Sequence, residues 1–227
     1  LFHQVSNVPI RERLKSFVLR KGRITSNQKK ALIDLKDHYL LNEDSKIELF
    51  NDTSVALDIG FGAGETTIHL AKTNPELSVI GVEVYLSGIG SVLSRAYTEG
   101  IENLRIFNGD VVPFMEEKVP DNSLDLVLMF YPDPWPKRKH HKRRLFQQDF
   151  LSLISKKLKQ GSIFYFKTDW EDYFRDAQKI VQISDGWKEQ KREDLANYLK
   201  CLPQTSFEKK ALSAERDLKE IILKKIS

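Results

Sequence analysis

Residues 131–144, YPDPWPKRKHHKRR, combine side chains that could do chemistry on a flat, negatively charged molecule. Asp133 lies between two prolines, which fix the backbone around it, and Tyr131 and Trp135 could stack on the faces of a base. We call residues 131–136 the proline loop and residues 137–144 the basic run, because the latter are six Lys or Arg and two His. In a purely structural alternative, the prolines end a strand, Trp135 packs on a sheet edge and the basic run is a solvated surface.

A glycine loop upstream, residues 60–64, could bind a cofactor. It lies within DIGFGAGE at residues 58–65, and its glycines allow a tight turn and a close approach of a ligand to the main chain. In the dinucleotide pattern GxGxxG the third glycine would fall at Glu65, where a carboxylate at a helix start repels a pyrophosphate. A ligand without phosphates fits better, and S-adenosylmethionine (SAM) is such a ligand. A nicotinamide cofactor, or no cofactor, are the alternatives.

Two acidic residues further along the chain lie at the ends of predicted strands. Glu83 could accept hydrogen bonds from ribose hydroxyls, and Asp110 could accept one from an adenine amino group. Acids at such positions are also common helix caps, so neither identifies a ligand by itself. Together with the glycine loop, in register on successive strand ends, they favour a SAM site.

The elements between these residues must place them at a common edge. From about residue 54 short apolar runs alternate with helical patterns, which predicts an α/β fold with a parallel sheet covered by helices on both faces. Predicted strands lie at 54–60, 77–84, 103–109, 124–130 and 161–168, predicted helices at 65–75, 86–100, 111–119 and 143–161, and a late strand pair near 186–193 and 217–225. Ligands of such sheets bind at the carboxyl ends of the strands, so the glycine loop and the proline loop should adjoin.

The residues before the first strand are predicted to form an extension. Residues 1–50 should form a basic arm and a helix near 28–41, packed on a main domain at 51–227. Residues 11–30 hold eight Lys or Arg against one acid, Glu12, although the net charge of the chain is only +4. Such clustering is what a phosphate-binding face requires.

Composition excludes several classes of protein. The 227 residues are 41% hydrophobic and 30% charged, which is ordinary for a globular domain. Cys201 is the only cysteine, so no internal disulfide and no cysteine metal cluster can form, and a reducing, cytoplasmic location is expected. No apolar stretch approaches about 18 residues, so we expect no membrane span.

The motifs GFGAG, GVEV, GD, FYPDPWPKRKHHKRR, KTDW and TSFE resemble, in order, those of the bacterial tRNA (guanine-N7-)-methyltransferases, from about residue 14 to the end. The resemblance implies a Rossmann-like class I methyltransferase fold with a mostly parallel seven-stranded sheet. It also implies methyl transfer from SAM to N7 of a guanosine in the variable loop of tRNA, with S-adenosylhomocysteine as the product.

In the eukaryotic branch a histidine usually replaces Trp135 and a second subunit is needed. Trp135 therefore implies a monomer or homodimer without an obligatory partner subunit.

Carried over residue by residue, the resemblance assigns site roles. Asp133 would be catalytic and would also contact the cofactor. The other cofactor contacts would be Asp58, Gly60, Gly62, Glu83 and Asp110. Substrate contacts would be Lys137, Asp169, Thr205, Ser206, Phe207 and Glu208. RNA contacts would be Lys139, His140, His141, Lys142, Arg143 and Arg144, and Arg20, Lys21 and Arg23 are expected to add to them. No metal ligand is implied.

Structural alternatives exist for two of these motifs, and the chain departs from the family at two places. Asp169 could cap a helix starting at Trp170, and TSFE at 205–208 could be an ordinary helix start. Tyr131 replaces the usual phenylalanine, and ALSAERDLK at 211–219 lacks the glycine common there.

The implied reaction needs no base. Guanine N7 carries a lone pair and no hydrogen, so the enzyme's work is positioning and electrostatics, and Asp133 would orient guanine and stabilise its developing positive charge. One alternative is methylation of an exocyclic amine, because YPDPW is also similar to the motifs of that class of methyltransferase. The others are a non-catalytic RNA-binding module on this fold and a dehydrogenase, which Glu65 disfavours.

Overall fold

The computed structural model of the protein describes residues 15–17, 22–41 and 54–227. Most of the predicted basic arm, including Arg20 and Lys21, therefore lies outside the described residues. The helices are α1 Ser26–Asp34, α2 Lys36–Tyr39, α3 Glu65–Thr73, α4 Leu86–Thr98, α5 Val111–Lys118, α6 Gln148–Lys157, α7 Glu171–Gln182, α8 Asn197–Lys200 and α9 Ser206–Ser213. The strands are β1 Ser54–Ile59, β2 Leu77–Glu83, β3 Leu104–Asn108, β4 Leu124–Phe130, β5 Leu158–Thr168, β6 Trp187–Glu189 and β7 Lys219–Lys225. Of the helices in these ranges, none is both long and apolar enough to cross a bilayer.

Within residues 54–227, seven strands form one sheet in the order β3-β2-β1-β4-β5-β7-β6. Strands β1 to β5 are parallel, and β7 runs antiparallel to both β5 and β6. The predicted fold class and the late strand pair are thereby confirmed. Because the chain order reverses between β1 and β4, a crevice forms beyond the carboxyl ends of these two strands.

The central strands are apolar on both faces, and this gives the crevice a rigid floor. In β1 every residue from Val55 to Ile59 is buried, and in β4 all but Asp125 are buried. Alternate residues enter different cores: Leu57 and Val127 pack on one face of the sheet, and Ala56 and Leu126 pack on the other. Side chains at the ends of β1 and β4 are therefore attached to the least mobile part of the molecule.

The region between β4 and β5 differs from the prediction. The helix predicted at 143–161 spans only Gln148–Lys157, and 3-10 turns at Arg138–Arg143 precede it. Strand β5 begins at Leu158, three residues early, because it pairs with Leu124 before the register shifts ahead of Leu126. The basic run is thus a compact turn, not the start of a helix.

The N-terminal helix also differs from the prediction, since 28–41 contains two helices that meet at Leu35. The side chain of Thr25 accepts from the N–H of Gln28 at 3.3 Å, and the side chain of Gln28 accepts from the N–H of Thr25 at 2.9 Å. This capping box makes α1 begin at Ser26.

Helix α1 packs against α4 at a glycine. The side-chain amide of Gln28 donates to Ser91 at 2.9 Å, and Ala31 is buried beside it. A methyl group on Gly90 would lie 2.7 Å from the carbonyl oxygen of Gln28. The close approach of the two helices therefore requires that position 90 carry no side chain.

Replacing Gly90 by alanine should weaken this contact. At an exposed helix position the change would stabilise by about 1 kcal/mol, but overpacking costs about 1–3 kcal/mol, so we expect a net loss of roughly 1 kcal/mol. Urea denaturation gives the stability, and hydrogen exchange should show faster exchange in α1. Ser94→Ala, one turn along α4 and half-buried, is the control and should change stability by less than about 0.5 kcal/mol. A Gly90→Ala protein with unaltered exchange in α1 would contradict this account.

Candidate functional site

A pocket lies beyond the carboxyl ends of β1, β2 and β4, where the predicted site residues should meet. Its lining includes Gly60, Gly62, Glu83, Asp110, Tyr131, Asp133 and Phe207. Five of these were predicted cofactor contacts and one, Phe207, was a predicted substrate contact. Ser16 and Phe17 of the N-terminal extension line the same pocket, although no sequence pattern indicated it.

The glycine loop follows β1 in left-handed turns that L-residues disfavour. Gly62 has a φ of 57° and Gly64 a φ of 77°, and a methyl group on Gly64 would lie 2.1 Å from Val92 of α4. Position 88 in α4 is equally restricted, because a methyl group on Gly88 would lie 2.2 Å from the carbonyl oxygen of Gly62. The glycines thus let the loop lie directly against α4, with its backbone toward the pocket.

Glu83 fixes the glycine loop as well as lining the pocket. Its carboxylate accepts from the N–H groups of Gly62 at 2.9 Å, Val84 at 2.6 Å and Tyr85 at 3.0 Å. Burial raises the pKa of Glu83, and these three hydrogen bonds oppose that rise. A carboxylate has about four acceptor positions, so about one remains for a ribose hydroxyl. The contact with Gly62 could not be seen in the sequence, because it joins positions 21 residues apart.

Asp58 lies beneath the glycine loop and not in the large pocket. It is buried in β1, where the hydroxyl of Thr67 donates to it at 2.6 Å, and it lines a small adjoining pocket with Glu65. Burial, followed by the negative charges of Glu83 and Glu65, raises the pKa of Asp58 from 3.8 to about 7, although the Thr67 hydrogen bond opposes this. Any contact of Asp58 with a ligand in the large pocket would be indirect.

Asp110 satisfies both interpretations of a strand-end acid. Its carboxylate caps α5 by accepting from the N–H of Val112 at 3.1 Å, and it also lines the pocket. The cap fixes the side chain at the pocket wall, so the structural role supports the functional one.

The proline loop carries backbone strain on each side of Asp133. Tyr131 has a φ of 53° and Trp135 a φ of 47°, and each non-glycine residue in this region costs on the order of 1–3 kcal/mol. The carboxylate of Asp133 is exposed and lines the pocket. Strain of this kind persists only where surrounding contacts enforce it.

Trp135 is one of those contacts, and the prediction that it flanks a base is wrong. Its indole N–H donates to the carbonyl of Ser16 at 2.8 Å, and the guanidinium of Arg143 lies 4.1 Å over its ring. Tyr131, in contrast, lines the pocket, and its ring is nearly parallel to that of Phe207, 10° apart in plane with 6.4 Å between centroids. Only Tyr131 of the two predicted aromatics is therefore placed to meet a base.

The TSFE motif is a helix start, as its structural alternative proposed. Thr205 caps α9, and Glu208 completes the capping box. The buried carboxylate of Glu208 also accepts from the ammonium of Lys167 at 2.9 Å and from the hydroxyl of Tyr131 at 3.0 Å. With a further bond from the N–H of Thr205, Glu208 attaches α9 to the proline loop, and Phe207 of the same helix reaches the pocket. Lys167 was not predicted, because in the KTDW motif a role was assigned only to Asp169.

The remaining predicted substrate residues lie at the rim. Asp169 forms an ion pair with Arg216 at 2.6 Å. Its alternative role as a cap is wrong, since the N-cap of α7 is Trp170, whose own N–H donates to the hydroxyl of Thr168 at 3.2 Å. Lys137 is exposed. Ser206 donates its N–H to Glu65 at 3.1 Å, which brings α9 against the glycine loop.

The structure divides the basic run into exposed and buried members. Lys139 and Lys142 are exposed, and Arg143 uses one donor on the carbonyl of Lys15 at 3.1 Å. The predicted RNA contact of Arg144 is wrong, because its side chain is 0% exposed and pairs with two carboxylates of α7. His141 is half-buried beside the same carboxylates.

His140 has a lowered pKa, owing to partial burial and then to its basic neighbours, so it is neutral at pH 7. In the described part of the chain, no three His, Cys, Asp or Glu side chains group closely enough to bind a metal ion.

Comparison with known proteins gives consistent matches. A family model described as "Putative methyltransferase" matches residues 52–221. A curated tRNA (guanine-N(7)-)-methyltransferase of Cronobacter sakazakii is 39% identical over 212 residues, covering 89% of this chain and 87% of that protein. One of the same name from Psychromonas ingrahamii is 34% identical and covers 95% of this chain and 90% of its own.

Solved structures share the fold at low identity. An antibiotic-related methyltransferase is 20% identical with a TM-score of 0.53, covering 80% of this chain and 94% of its own. An rRNA methylase from Streptococcus thermophilus is 13% identical with a TM-score of 0.52, covering 91% of this chain and 100% of its own. These likenesses support the class I methyltransferase architecture.

Replacing Asp58 by asparagine should make the protein more stable at neutral and alkaline pH. A carboxyl group whose pKa rises from 3.8 to about 7 on folding keeps its proton in the folded protein after the unfolded chain has lost it. Asp58 therefore lowers stability progressively as pH rises across that window, and asparagine does not. We expect Asp58→Asn to gain on the order of 1–3 kcal/mol over wild type at pH 8, and little at pH 4.

Denaturant unfolding at several pH values measures this difference. Glu117→Gln, which removes an exposed carboxylate at the end of α5, is the control and should show no such trend. A difference between Asp58→Asn and wild type that stays constant with pH would count against the burial argument.

Proposed function

Because this chain belongs to the tRNA (guanine-N7-)-methyltransferase family, we propose that Asp133 is its catalytic residue and that the pocket beside Asp133 binds SAM and the target guanine. The protein is a SAM-dependent enzyme that methylates N7 of a guanosine in tRNA. The family membership leaves open which residues of this chain bind the substrates and promote the methyl transfer. The argument for them rests on the charges that line the pocket.

The charged groups that line the pocket fit SAM. Its described lining holds three carboxylates, those of Glu83, Asp110 and Asp133, and no Lys or Arg. A pyrophosphate would find no counter-charge there, whereas a ligand with a sulfonium and an ammonium group finds negative charge. When bound, SAM supplies an electrophilic methyl group. Glu83 and Asp110 would contact its adenosine, and the backbone of Gly60 and Gly62 would allow its close approach.

The position of Asp133 at the pocket supports a role for it in acting on the acceptor. N7 of guanine needs no deprotonation before it forms the new bond, and positive charge then develops on the purine. A fixed carboxylate stabilises that charge more than it stabilises the neutral base, which lowers the barrier. The same carboxylate can accept from the N1–H and amino group of guanine, donors that adenine does not present together, and this would select guanine.

One observation carries this assignment: Asp133 is exposed at the pocket, while the loop on both sides of it is strained and anchored. A carboxylate on a backbone that is held in place needs little reorganisation when charge develops, which is the condition for electrostatic catalysis. Tyr131 and Phe207, with nearly parallel rings at the same pocket, would contact the faces of the guanine.

The exposed members of the basic run would bind the tRNA backbone. Lys139 and Lys142 project from the turn that follows the proline loop, and Arg143 retains donors beyond its bond to Lys15. Phosphate contacts of this kind set register and affinity, and the pocket then determines which base reacts. The variable loop is the region of tRNA that we propose presents the guanosine.

We further propose that the enzyme acts in the cytoplasm as a monomer or homodimer, without an obligatory second subunit. Trp135 supports this, because its indole N–H donates within the chain to the carbonyl of Ser16, a residue that lines the pocket. The single free Cys201 suits a reducing compartment.

Replacing Asp133 by asparagine should lower kcat by at least about 10²-fold, because the shape is kept while the negative charge is lost. Folding and tRNA affinity should change little, since phosphate contacts dominate binding. Single-turnover methylation of tRNA at saturating SAM, followed by mass spectrometry of the nucleosides, measures the effect and identifies the methylated position. Glu117→Gln removes an exposed carboxylate near the end of α5 and serves as the control. Near-normal single-turnover rates in a folded Asp133→Asn protein would refute the catalytic role.

Neutralising Lys139 and Lys142 together should weaken tRNA binding and reduce its salt dependence. Each lost phosphate contact should flatten the slope of log K against log salt by roughly 0.7–0.9. Affinity titrations at several salt concentrations give the slope. Lys72→Ala is the control, because Lys72 lies at the far end of α3 and pairs with Glu99. An unchanged slope in the double variant would remove these two residues from the RNA interface.

A further inference from the structure

The last residue of the basic run has a different environment from the exposed lysines before it. The side chain of Arg144 is completely buried, whereas those of Lys139 and Lys142 face solvent. A guanidinium can bind phosphate only if the phosphate can reach it. Arg144 must therefore do something else within the turn.

All sides of the Arg144 guanidinium are occupied by protein groups. Its Nη2 donates to Asp172 at 2.8 Å and its Nη1 to Asp176 at 2.5 Å, one turn apart on α7. The group lies 4.8 Å over the ring of Tyr173, between those two acids. The two acids compensate for the burial of the cation, which would otherwise be costly.

A third donor of Arg144 reaches the proline loop. Its Nε donates to the carbonyl oxygen of Pro134 at 2.9 Å. That carbonyl belongs to the peptide unit that joins Pro134 to the left-handed Trp135, one peptide unit beyond the one that follows Asp133. Because the φ of a proline is fixed by its ring, holding this carbonyl leaves the backbone around Asp133 little freedom to turn.

A second attachment reinforces the first. The N–H of Phe146 donates to the hydroxyl of the buried Tyr173 at 2.9 Å. Leu145, which lies between Arg144 and Phe146 in the sequence, lines the pocket. The end of the basic run is therefore fastened to α7 on each side of Leu145. Helix α7 itself packs on the sheet through buried residues.

We propose that Arg144 is a positioning residue, which carries no RNA contact and transmits the rigidity of α7 to Asp133 through the carbonyl of Pro134. Asp172 and Asp176 complete this set of contacts by fixing the guanidinium of Arg144. This inference rests on the role proposed above for Asp133. It divides the basic run by function, with its exposed lysines for tRNA and its last arginine for catalysis.

Arg144→Gln is the direct test, because it removes the charge and the fork of donors while keeping a polar side chain. We expect kcat at saturating SAM and tRNA to fall about 10- to 100-fold, the range for a reacting group displaced by about 1 Å. The slope of log K against log salt for tRNA should stay as in wild type. A flattened slope with kcat retained would overturn the proposal and make Arg144 an RNA contact.

The variants Asp172→Asn and Asp176→Asn, alone and combined, test the same contacts by changing the two acids that hold the guanidinium of Arg144. Each single variant leaves one carboxylate paired with the buried guanidinium, so the single variants should fold even if Arg144→Gln does not. Each removes a negative charge beside the basic run, which should leave tRNA affinity equal or tighter, yet kcat should fall. A merely electrostatic or structural role of the two acids would not lower kcat while leaving tRNA affinity equal or tighter. Unchanged kcat in the double variant would overturn the proposal, with Glu117→Gln as the control for a lost surface carboxylate.

A double-mutant cycle with Asp133→Asn decides whether Arg144 acts through Asp133. If it does, Arg144→Gln should reduce the single-turnover rate much less in the Asp133→Asn background than in wild type. Additive losses would overturn the proposed route through Asp133. The cycle also separates the two proposals, because a fully active Asp133→Asn protein would refute the catalytic role by itself, whatever Arg144→Gln does.

Discussion

The pocket wall depends on one buried ion pair, between Lys167 at the end of β5 and Glu208 in the first turn of α9. Burial disfavours the charged carboxyl, but the hydrogen bond and charge of Lys167 outweigh this and lower the pKa of Glu208. Because the carboxylate also accepts from Tyr131 and Thr205, the pair joins the sheet, the proline loop and α9 at one point. Removing one member of a buried pair leaves an uncompensated charge and typically costs about 3–5 kcal/mol.

The sequence predicted those parts of the site that are encoded locally. Glycines at 60 and 62, strand-end acids and a proline-flanked Asp133 each have a backbone reason that can be read from neighbouring residues. The parallel sheet with helices on both faces follows similarly, from alternating apolar runs and helical patterns. The hydrogen bond from Gly62 to Glu83 and the pair of Lys167 with Glu208 could not be predicted, since each joins residues at least 21 positions apart.

Arg144 shows most clearly why a pattern was insufficient. In the sequence it is one of six equivalent cations, and nothing local distinguishes it from Arg143. The difference comes from Asp172 and Asp176, which are 28 and 32 residues further along and meet it only because α7 packs beneath the turn. Charge predicts the face of a protein that meets RNA, but the burial of each cation depends on tertiary contacts.

The arrangement of charge explains why a basic protein surrounds an acidic pocket. Phosphates must be attracted at the rim, whereas the pocket must favour positive charge on the donor and on the methylated base. Acidic groups at this edge of the sheet cost stability, since burial, and then the negative charges of Glu83 and Glu65, raise the pKa of Asp58. The strained residues Tyr131 and Trp135 add to that cost. Rigid anchoring is then required, because a flexible loop would relax the strain and turn the carboxylate of Asp133 toward the nearby cations and away from the base.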